Sequence, residues 1–524
     1  MVLERKWWTL IAVCVAIFML LLDITVVNVA LPDIQRSLHS SFSDLQWVVN
    51  AYALTLAAFL LTSGAVADLI GRRRVFVTGL VVFTTASAVC GLSGSPLMLN
   101  LARAVQGTGG AMMFATSLAL IAQAFQGKER GTAFGVFGAV TGAAVAVGPV
   151  LGGIITSGIG WQWIFFVNVP IGAVAVFVTL TKVLDSRDPD ATGVDWAGLV
   201  TFSGSLFVLV YALVQGNQKG WGSTEIVALL AAALVLLVAF VIVELRQSRP
   251  MLDLSLFRCP AFTGASIVAF TLSSSFFAMF LYLTLYIQDV LGYSPLQAGL
   301  RFLPTTLLSF AVAPIAGRLT VRMPVRLLLG TGLLLIGIGL VLMTGVDASS
   351  HWTVLIPGFI LAGAGVGLVN PPLASTAIGV VPPERSGMAS GINSTFRQVG
   401  IATGIAGLGA IFQHDVTRKT TSALSASGHA GAVLHAAHGQ LATLLESGEV
   451  TRMAATLPAA ARTALEHSYR VGFTGAFTTI AAIAAAIALT GAVLAFALVR
   501  GRDFVSTGHA PEAPQPEPAG ALAS

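Results

Sequence analysis

Charged residues are scarce in this chain of 524 residues. Asp, Glu, Lys and Arg together make up 10% of it, and apolar residues make up 56%, whereas a soluble globular protein carries about 25% charged residues. This composition excludes a soluble multidomain protein, and it excludes a disordered chain, which needs low hydrophobicity and abundant charge. A membrane-spanning helix takes ~20 apolar residues. The sequence therefore predicts an all-α polytopic membrane protein.

Cysteine and the common catalytic motifs are also missing or sparse. The three cysteines, Cys14, Cys90 and Cys259, lie far apart and form no CxxC pair, which argues against a disulfide framework or a structural zinc site. Walker A, HExxH and GxSxG sequences do not occur, so we expect no ATP hydrolysis, metalloprotease or serine hydrolase activity. We expect no enzyme activity, no metal and no cofactor.

Apolar runs of spanning length recur from one end of the chain to the other. The first is longer than the core of a secretory signal peptide and contains Asp23, so we interpret it as a span. We predict fourteen spans, which places both termini on one side of the membrane. Their approximate bounds are 8–31, 47–67, 75–94, 97–122, 132–156, 162–181, 196–215, 224–243, 262–288, 299–317, 325–345, 353–376, 388–412 and 470–499.

The distribution of basic residues sets the orientation. With both termini in the cytoplasm, most of the 28 Lys and Arg residues fall in cytoplasmic segments, and the short outer loops hold only Arg36 and Lys219. This is the positive-inside pattern. It accounts for the net positive charge without nucleic-acid binding, and it predicts a multi-pass protein of the cell membrane with cytoplasmic termini.

The chain repeats itself in two halves. Gly64 aligns with Gly317 and Arg73 with Arg326, and further along Gly153 aligns with Gly409. Duplicated six-span halves are typical of transporters with a binding cavity near the bilayer midplane. The predicted domains are a first bundle at 1–181, a linker with two inserted helices at 182–261, a second bundle at 262–499 with an outer loop at 413–470, and a disordered cytoplasmic tail at 500–524.

Two charges lie inside predicted spans. Asp23 is nine residues before Pro32, which we take as the outer end of span 1, and Arg103 lies at a similar depth in span 4. A charge at the centre of a span costs about 2.5–3.5 kcal/mol on insertion scales, so we expect the two to pair. Their repeat counterparts are Met279 and Phe359. A charged pair found in one half only suggests proton coupling or substrate binding, with a purely structural pair as the alternative.

Other polar residues also fall within spans. Arg397 could attract an anionic substrate, regulate an acid or bond backbone carbonyls. Asn28, Asn50, Tyr52 and Gln106 are candidate cavity residues, for which a hydrogen bond between helices is the alternative.

Five stretches resemble motifs of the major facilitator superfamily. Residues 64–74 resemble its loop 2–3 motif, residues 99–110 its span 4 motif, and residues 148–153 its antiporter motif in span 5. Residues 22–32 and 161–172 resemble signatures of its fourteen-span drug:proton antiporters of the EmrB/QacA type. The resemblance covers all predicted spans. It implies the superfamily's fold of two six-helix bundles, here with two central inserted helices.

The resemblance also implies residue roles. Asp23 and Arg103 would serve proton coupling. A cytoplasmic gate would be formed by Gly64, Asp68, Gly71, Arg72 and Arg73. A hinge in span 5 that limits proton leak would be formed by Gly148, Pro149, Gly152 and Gly153.

Three positions depart from the family pattern. Leu69 replaces a usual basic residue in the gate, and Gln162 replaces a common Arg. In the second half, the position that corresponds to Asp68 is occupied by Val321, so the acid of the gate is missing there. The gate is therefore expected to lock the two halves asymmetrically.

The implied function is proton-driven export of hydrophobic or cationic drug-like molecules by alternating access. The expected partners are the small-molecule substrate, protons and membrane lipid, with no nucleic acid, and the expected state is a monomer. The alternatives are export of an endogenous metabolite or lipid by the same fold, and a membrane sensor that transports nothing.

Overall fold

The computed structural model describes residues 4–125, 127–187, 193–247, 250–320, 322–381, 386–427, 433, 454 and 457–504. Throughout these ranges the regular structure is helical. The α-helices are α1 Arg5–Leu38, α2 Phe42–Ile70, α3 Arg72–Gly91, α4 Pro96–Ala124, α5 Gly127–Ile159, α6 Trp163–Phe166, α7 Asn168–Lys182, α8 Trp196–Lys219, α9 Thr224–Arg246, α10 Pro260–Leu272, α11 Ala278–Leu285, α12 Pro295–Arg301, α13 Leu303–Leu319, α14 Val325–Met343, α15 Ile356–Gly379, α16 Ser386–Ala426 and α17 Ala459–Leu498.

Short irregular helices complete these elements. Two π-helical segments, Ser273–Phe277 and Tyr286–Val290, flank α11, so that α10 and α11 form one continuous span. Single 3₁₀ turns lie at Leu254–Arg258, Trp352–Leu355 and Gly501–Asp503.

Many helices are long and apolar enough to cross a membrane. The described residues contain twelve such helices, or thirteen if α12 and α13, which are bent by 40°, form one span. The predicted span 388–412 lies within α16, which is not among these helices, and it contains Arg397 and Gln398. The chain is a multi-pass membrane protein, and the count of fourteen spans stays a prediction.

Two predicted boundaries fall inside helices. Helix α1 continues through Pro32, the predicted outer end of the first span, to Leu38. The carbonyl of Pro32 accepts a hydrogen bond from Arg36 Nε at 3.2 Å. The predicted outer loop at 413–470 has helix at both ends, because α16 runs to Ala426 and α17 begins at Ala459.

Polar contacts explain why α16 and α17 extend beyond the apolar run. Asp415 pairs with Lys419 one turn later, at 2.9 Å, and accepts a hydrogen bond from Thr479 Oγ1 on α17 at 2.9 Å. Lys419 Nζ also donates to the Gly475 carbonyl at 2.7 Å. These groups satisfy one another, so helix is favoured where the sequence alone suggests a loop.

The predicted tail begins with ordered chain. Residues Gly501–Asp503 form a turn, and Asp503 accepts a hydrogen bond from the backbone N–H of Ala261 at 3.2 Å. The rest of the predicted tail, 505–524, and Val321 lie outside the described residues.

The internal repeat is visible in the packing. A Cβ built at Gly79 would lie 2.8 Å from the Gly109 carbonyl, so these glycines let α3 and α4 approach backbone to backbone. Their repeat partners, Gly332 and Gly365, do the same for α14 and α15, where the distance is 2.9 Å. The group α13, α14 and α15 thus repeats the packing of α2, α3 and α4.

The two halves meet at the end of the bundle opposite the termini, which we call the distal end. Gln46 Nε2 on α2 donates to the Ile405 carbonyl on α16 at 2.9 Å. Gln288 Nε2 donates to the Val29 carbonyl on α1 at 2.7 Å. The inserted helix α8 packs against both α2 and α16. It therefore covers the seam between the halves on one side.

Candidate functional site

The two charges predicted to pair do so. Asp23 on α1 and Arg103 on α4 form an ion pair between Oδ2 and Nη1, and both side chains are at most 1% exposed. Pairing of two buried charges needs further hydrogen bonds to offset their desolvation. The site supplies them.

Polar groups surround the carboxylate and the guanidinium. Gln106 Nε2 donates to Asp23 Oδ1 at 2.9 Å, and Gln106 Oε1 accepts from Arg103 Nη1 at 2.8 Å. Arg103 Nε donates to the Val48 carbonyl at 3.1 Å. The guanidinium carbon lies 4.3 Å from the centre of the Tyr52 ring, in cation–π contact. Of the candidate cavity residues, Gln106 and Tyr52 thus belong to the charged site.

A second amide was not among the predicted site residues. Asn168, at the start of α7, lies with Nδ2 3.5 Å from Asp23 Oδ1 and donates to Ser87 Oγ at 3.0 Å. Ser87 Oγ in turn donates to the Phe165 carbonyl at 2.9 Å. The signal was available, because Asn168 is a polar residue within the 161–172 signature. The site therefore joins α1, α2, α3, α4 and α7 of the first half.

The second half has an apolar core at the matching place. Met279 and Phe359, the repeat counterparts of the charged pair, are fully buried. Phe302 packs between Phe280, with ring centres 4.4 Å apart, and Phe359, at 5.6 Å. The charged site is thus a property of one half, as predicted.

The antiporter motif packs directly on the helix that carries Asp23. A Cβ at Gly148 would lie 1.8 Å from Thr25 Oγ1, and one at Gly152 would lie 2.9 Å from the Val26 carbonyl. Both glycines are therefore required for the close contact between α5 and α1.

The same motif also reaches the second half. A Cβ at Gly153 would lie 2.6 Å from the Pro295 carbonyl on α12. The Pro149 carbonyl, inside α5, lies 2.3 Å from the position of a Cβ at Gly299. Helix α5 therefore contacts the helix of Asp23 and the second half at the same level.

The predicted gate lies at the junction of α2 and α3. Asp68 Oδ1 pairs with Arg72 Nη2 one turn later, at 2.9 Å. Between the helices, Gly71 has a φ of 119°, which favours glycine. A Cβ there would also lie 2.7 Å from Asp185 Oδ1. No described atom lies within 4 Å of a Cβ built at Gly64.

Asp185, which sequence reasoning missed, organises this junction from the segment after α7. Its Oδ1 accepts a hydrogen bond from the backbone N–H of Arg73 at 3.1 Å, and its Oδ2 pairs with Arg74 Nε at 3.2 Å. Arg73 Nη1 donates to the Val183 carbonyl at 3.1 Å. These gate contacts lie within the first half.

Comparison with known proteins identifies the family. The sequence model of the Major Facilitator Superfamily matches residues 13–405. The chain belongs to this superfamily. It is a membrane transporter and not an enzyme.

Several relatives of this superfamily member have names that refer to drugs. The chain is 40% identical to the multidrug resistance protein Stp of Mycobacterium tuberculosis, over 77% of this chain and 75% of the relative. It is 34% identical to the tetracenomycin C resistance and export protein of Streptomyces glaucescens, over 78% and 76%. It is 38% identical to the puromycin resistance protein pur8 of Streptomyces alboniger, over 77% and 81%.

Solved structures share the fold of the superfamily. A bacterial homologue of the human lysosomal transporter Spinster, in an inward-facing and occupied conformation, matches with a TM-score of 0.61 at 16% identity, over 97% of this chain and all of that one.

The remaining candidate cavity residues stand apart from the charged site. Asn28 donates to the Ile24 carbonyl of its own helix at 2.9 Å. Asn50 is fully buried, and neither of its amide atoms has a hydrogen-bond partner among the described residues. Arg397 Nη2 donates a hydrogen bond to Asn370 Oδ1 on α15. A single polar cluster of all the predicted residues is therefore not formed in this conformation.

Proposed function

We propose that this chain is a proton-coupled multidrug exporter of the fourteen-span type, which moves hydrophobic or cationic small molecules out of the cell in exchange for protons. The observation that carries the proposal is the buried Asp23–Arg103 pair, which has no charged equivalent at its repeat positions. The relatives named for drug resistance and export support the substrate class.

The contacts of Asp23 suggest how protonation would be coupled to movement. The ionised carboxylate accepts hydrogen bonds from Arg103 and Gln106. A proton on Asp23 removes its charge and weakens the bond to the buried guanidinium, so the hold of α1 on α4 is loosened. Thr25, two residues along α1, touches Gly148 and would carry that shift to α5.

The orientation follows the basic residues, with both termini in the cytoplasm. The halves would then be in contact on the outer side, through Gln46 and Gln288, as an inward-facing conformation requires. Asp68 and Arg72 pair within the first half, as an open gate would require. In the outward-facing state, Asn50 on α2 would leave its buried position and, with Asn28 and Arg397, could contact substrate.

The test is efflux in proteoliposomes with an imposed pH gradient, using ethidium, a fluorescent lipophilic cation, as the probe. The Asp23→Asn variant should lose the gradient-driven component of transport. Asp33→Asn is a matched control, because Asp33 lies on the same helix and pairs with Arg36 near its end. It should transport like the wild type.

Two results would contradict the proposal. If Asp23→Asn follows the pH gradient as well as the wild type does, Asp23 is not the coupling site. If the wild type moves no lipophilic cation or neutral drug under any gradient, drug export is wrong, and an endogenous metabolite or lipid becomes the substrate to examine.

A further inference from the structure

A lateral cavity lies between the inserted helix α8 and the second half. Its volume is about 680 Å³. Its walls come from α8, from α10 with the adjoining π-helical segment, and from α16 and α17. It borders the flank that α8 covers and is separate from the Asp23 site.

The cavity has a polar rim and an apolar interior. The rim consists of Asn217, Trp221 and His414, close to the distal end of α8. Trp221 Nε1 donates to Asn217 Oδ1 at 2.8 Å, and Asn217 Nδ2 donates to the Ala410 carbonyl on α16 at 2.6 Å. The interior is lined by apolar side chains such as Phe270 and Ile487.

The dimensions of the cavity match one leaflet of a bilayer. Along α16 the lining runs from Thr403 to His414, which at 1.5 Å per residue corresponds to roughly 16 Å. Half of a hydrocarbon core ~30 Å thick is about the same length. Helices α8 and α17 are candidate spans, so the medium outside the cavity is lipid.

We propose that this cavity holds one acyl chain of a membrane phospholipid. The chain would run from the rim towards the bilayer midplane, and the headgroup would lie beside His414, which is exposed. Trp221 sits at the depth where amphipathic aromatic rings favour the membrane interface. The bound chain fills space that α8 leaves open beside α16.

A second cavity offers an internal comparison. It has a volume of about 670 Å³ and lies between α3 and α4, lined by residues that include Val81, Ser95 and Leu101. Its described lining has no Trp and no His to hold a headgroup. We expect ordinary bilayer lipid there, in rapid exchange.

The test uses phosphatidylglycerol with a diazirine in the middle of one acyl chain, in proteoliposomes containing the full chain. After photolysis, peptides are mapped by mass spectrometry. Adducts should be concentrated on 403–414 and at least fivefold less abundant on 81–105. Gly407→Trp fills the cavity, because no described atom lies within 4 Å of a Cβ there, and should lower the 403–414 adducts at least fivefold.

Leu101→Trp is the matched control. It adds the same side chain to the comparison cavity, where Leu101 is 60% exposed, and should leave labelling of 403–414 unchanged. Both variants should elute from a size-exclusion column at the same volume as the wild type. If Gly407→Trp does not fold, His414→Ala should still lower labelling, because the headgroup loses its neighbour.

Three results would overturn the proposal. Equal labelling of 403–414 and 81–105 would mean ordinary bilayer lipid only. If neither Gly407→Trp nor His414→Ala lowers the labelling of 403–414, the lipid lies outside this cavity. Loss of labelling when ethidium is present before photolysis, with no lipid retained, would identify the occupant as a small molecule.

Discussion

Replacing Asp23 by asparagine removes the negative charge that compensates Arg103. The guanidinium is 1% exposed and would keep only the Val48 carbonyl, the Gln106 amide oxygen and a neutral amide as hydrogen-bond acceptors. Breaking a buried ion pair by removing one partner costs about 3–5 kcal/mol, because an uncompensated charge stays buried. We expect Asp23→Asn to lower the free energy of unfolding by that amount.

Removing both charges gives a different result. The double variant Asp23→Asn, Arg103→Met has no buried charge, and replacing a buried pair by neutral groups of similar volume is often close to neutral for stability. We therefore expect it to regain most of the stability lost by Asp23→Asn. Neither variant should export ethidium when a pH gradient is imposed, since both lack the Asp23 carboxylate.

Stability is measured by thermal unfolding of the purified protein in detergent, with size-exclusion chromatography as the readout. Transport is measured in parallel in proteoliposomes. Stability and transport should separate in the double variant. A double variant as unstable as Asp23→Asn would refute the argument from the uncompensated charge. Export by the double variant would refute the role of the pair in coupling.

Other contacts give further predictions. Gly148→Ala should lower both thermal stability and export, because the new methyl group collides with Thr25 Oγ1. Adding Thr25→Ala should restore much of the stability. If it does not, the collision with Thr25 is not the cause of the lost stability. Gly64→Leu should unfold like the wild type, since the position is open, but should export poorly if this surface closes against the second half; wild-type export would contradict that closure. Asp185→Asn should weaken the junction of α2 and α3 and lower export several-fold with little loss of stability, because the surface ion pair that it removes is worth about 0–1 kcal/mol. Gln46→Leu should raise the labelling of a cysteine introduced at the distal end, because a hydrogen bond between the halves is lost. Unchanged labelling would show that this bond does not hold the halves together.

The sequence was informative where a residue conflicts with its surroundings. Asp23 and Arg103 conflict with apolar spans, so their pairing could be predicted and is confirmed. Gly79 and Gly332 share a register in the repeat, and the structure confirms that both of them allow a close helix contact.

The rest of the site depends on distances that no local pattern encodes. Asn168 reaches Asp23 only because α7 packs beside α3 and α1, and Asp185 reaches Arg74 only because the chain returns to α3 after α7. The sequence alone places the outer end of the first span at Pro32, because proline removes one backbone donor. Helix α1 nevertheless continues through it.

The asymmetry of the two halves limits how coupling can operate. The buried ion pair belongs to the first half, while the second half has buried phenylalanines at the same place. Under the proposed coupling, movement of the halves is driven from the first half, through an element that touches both. Helix α5 meets this condition, because Gly148 packs on Thr25 beside Asp23 and Gly153 packs on Pro295 of the second half. A single tightly packed helix can thus link a local change of charge to the relative position of two bundles, since close-packed contacts do not deform gradually.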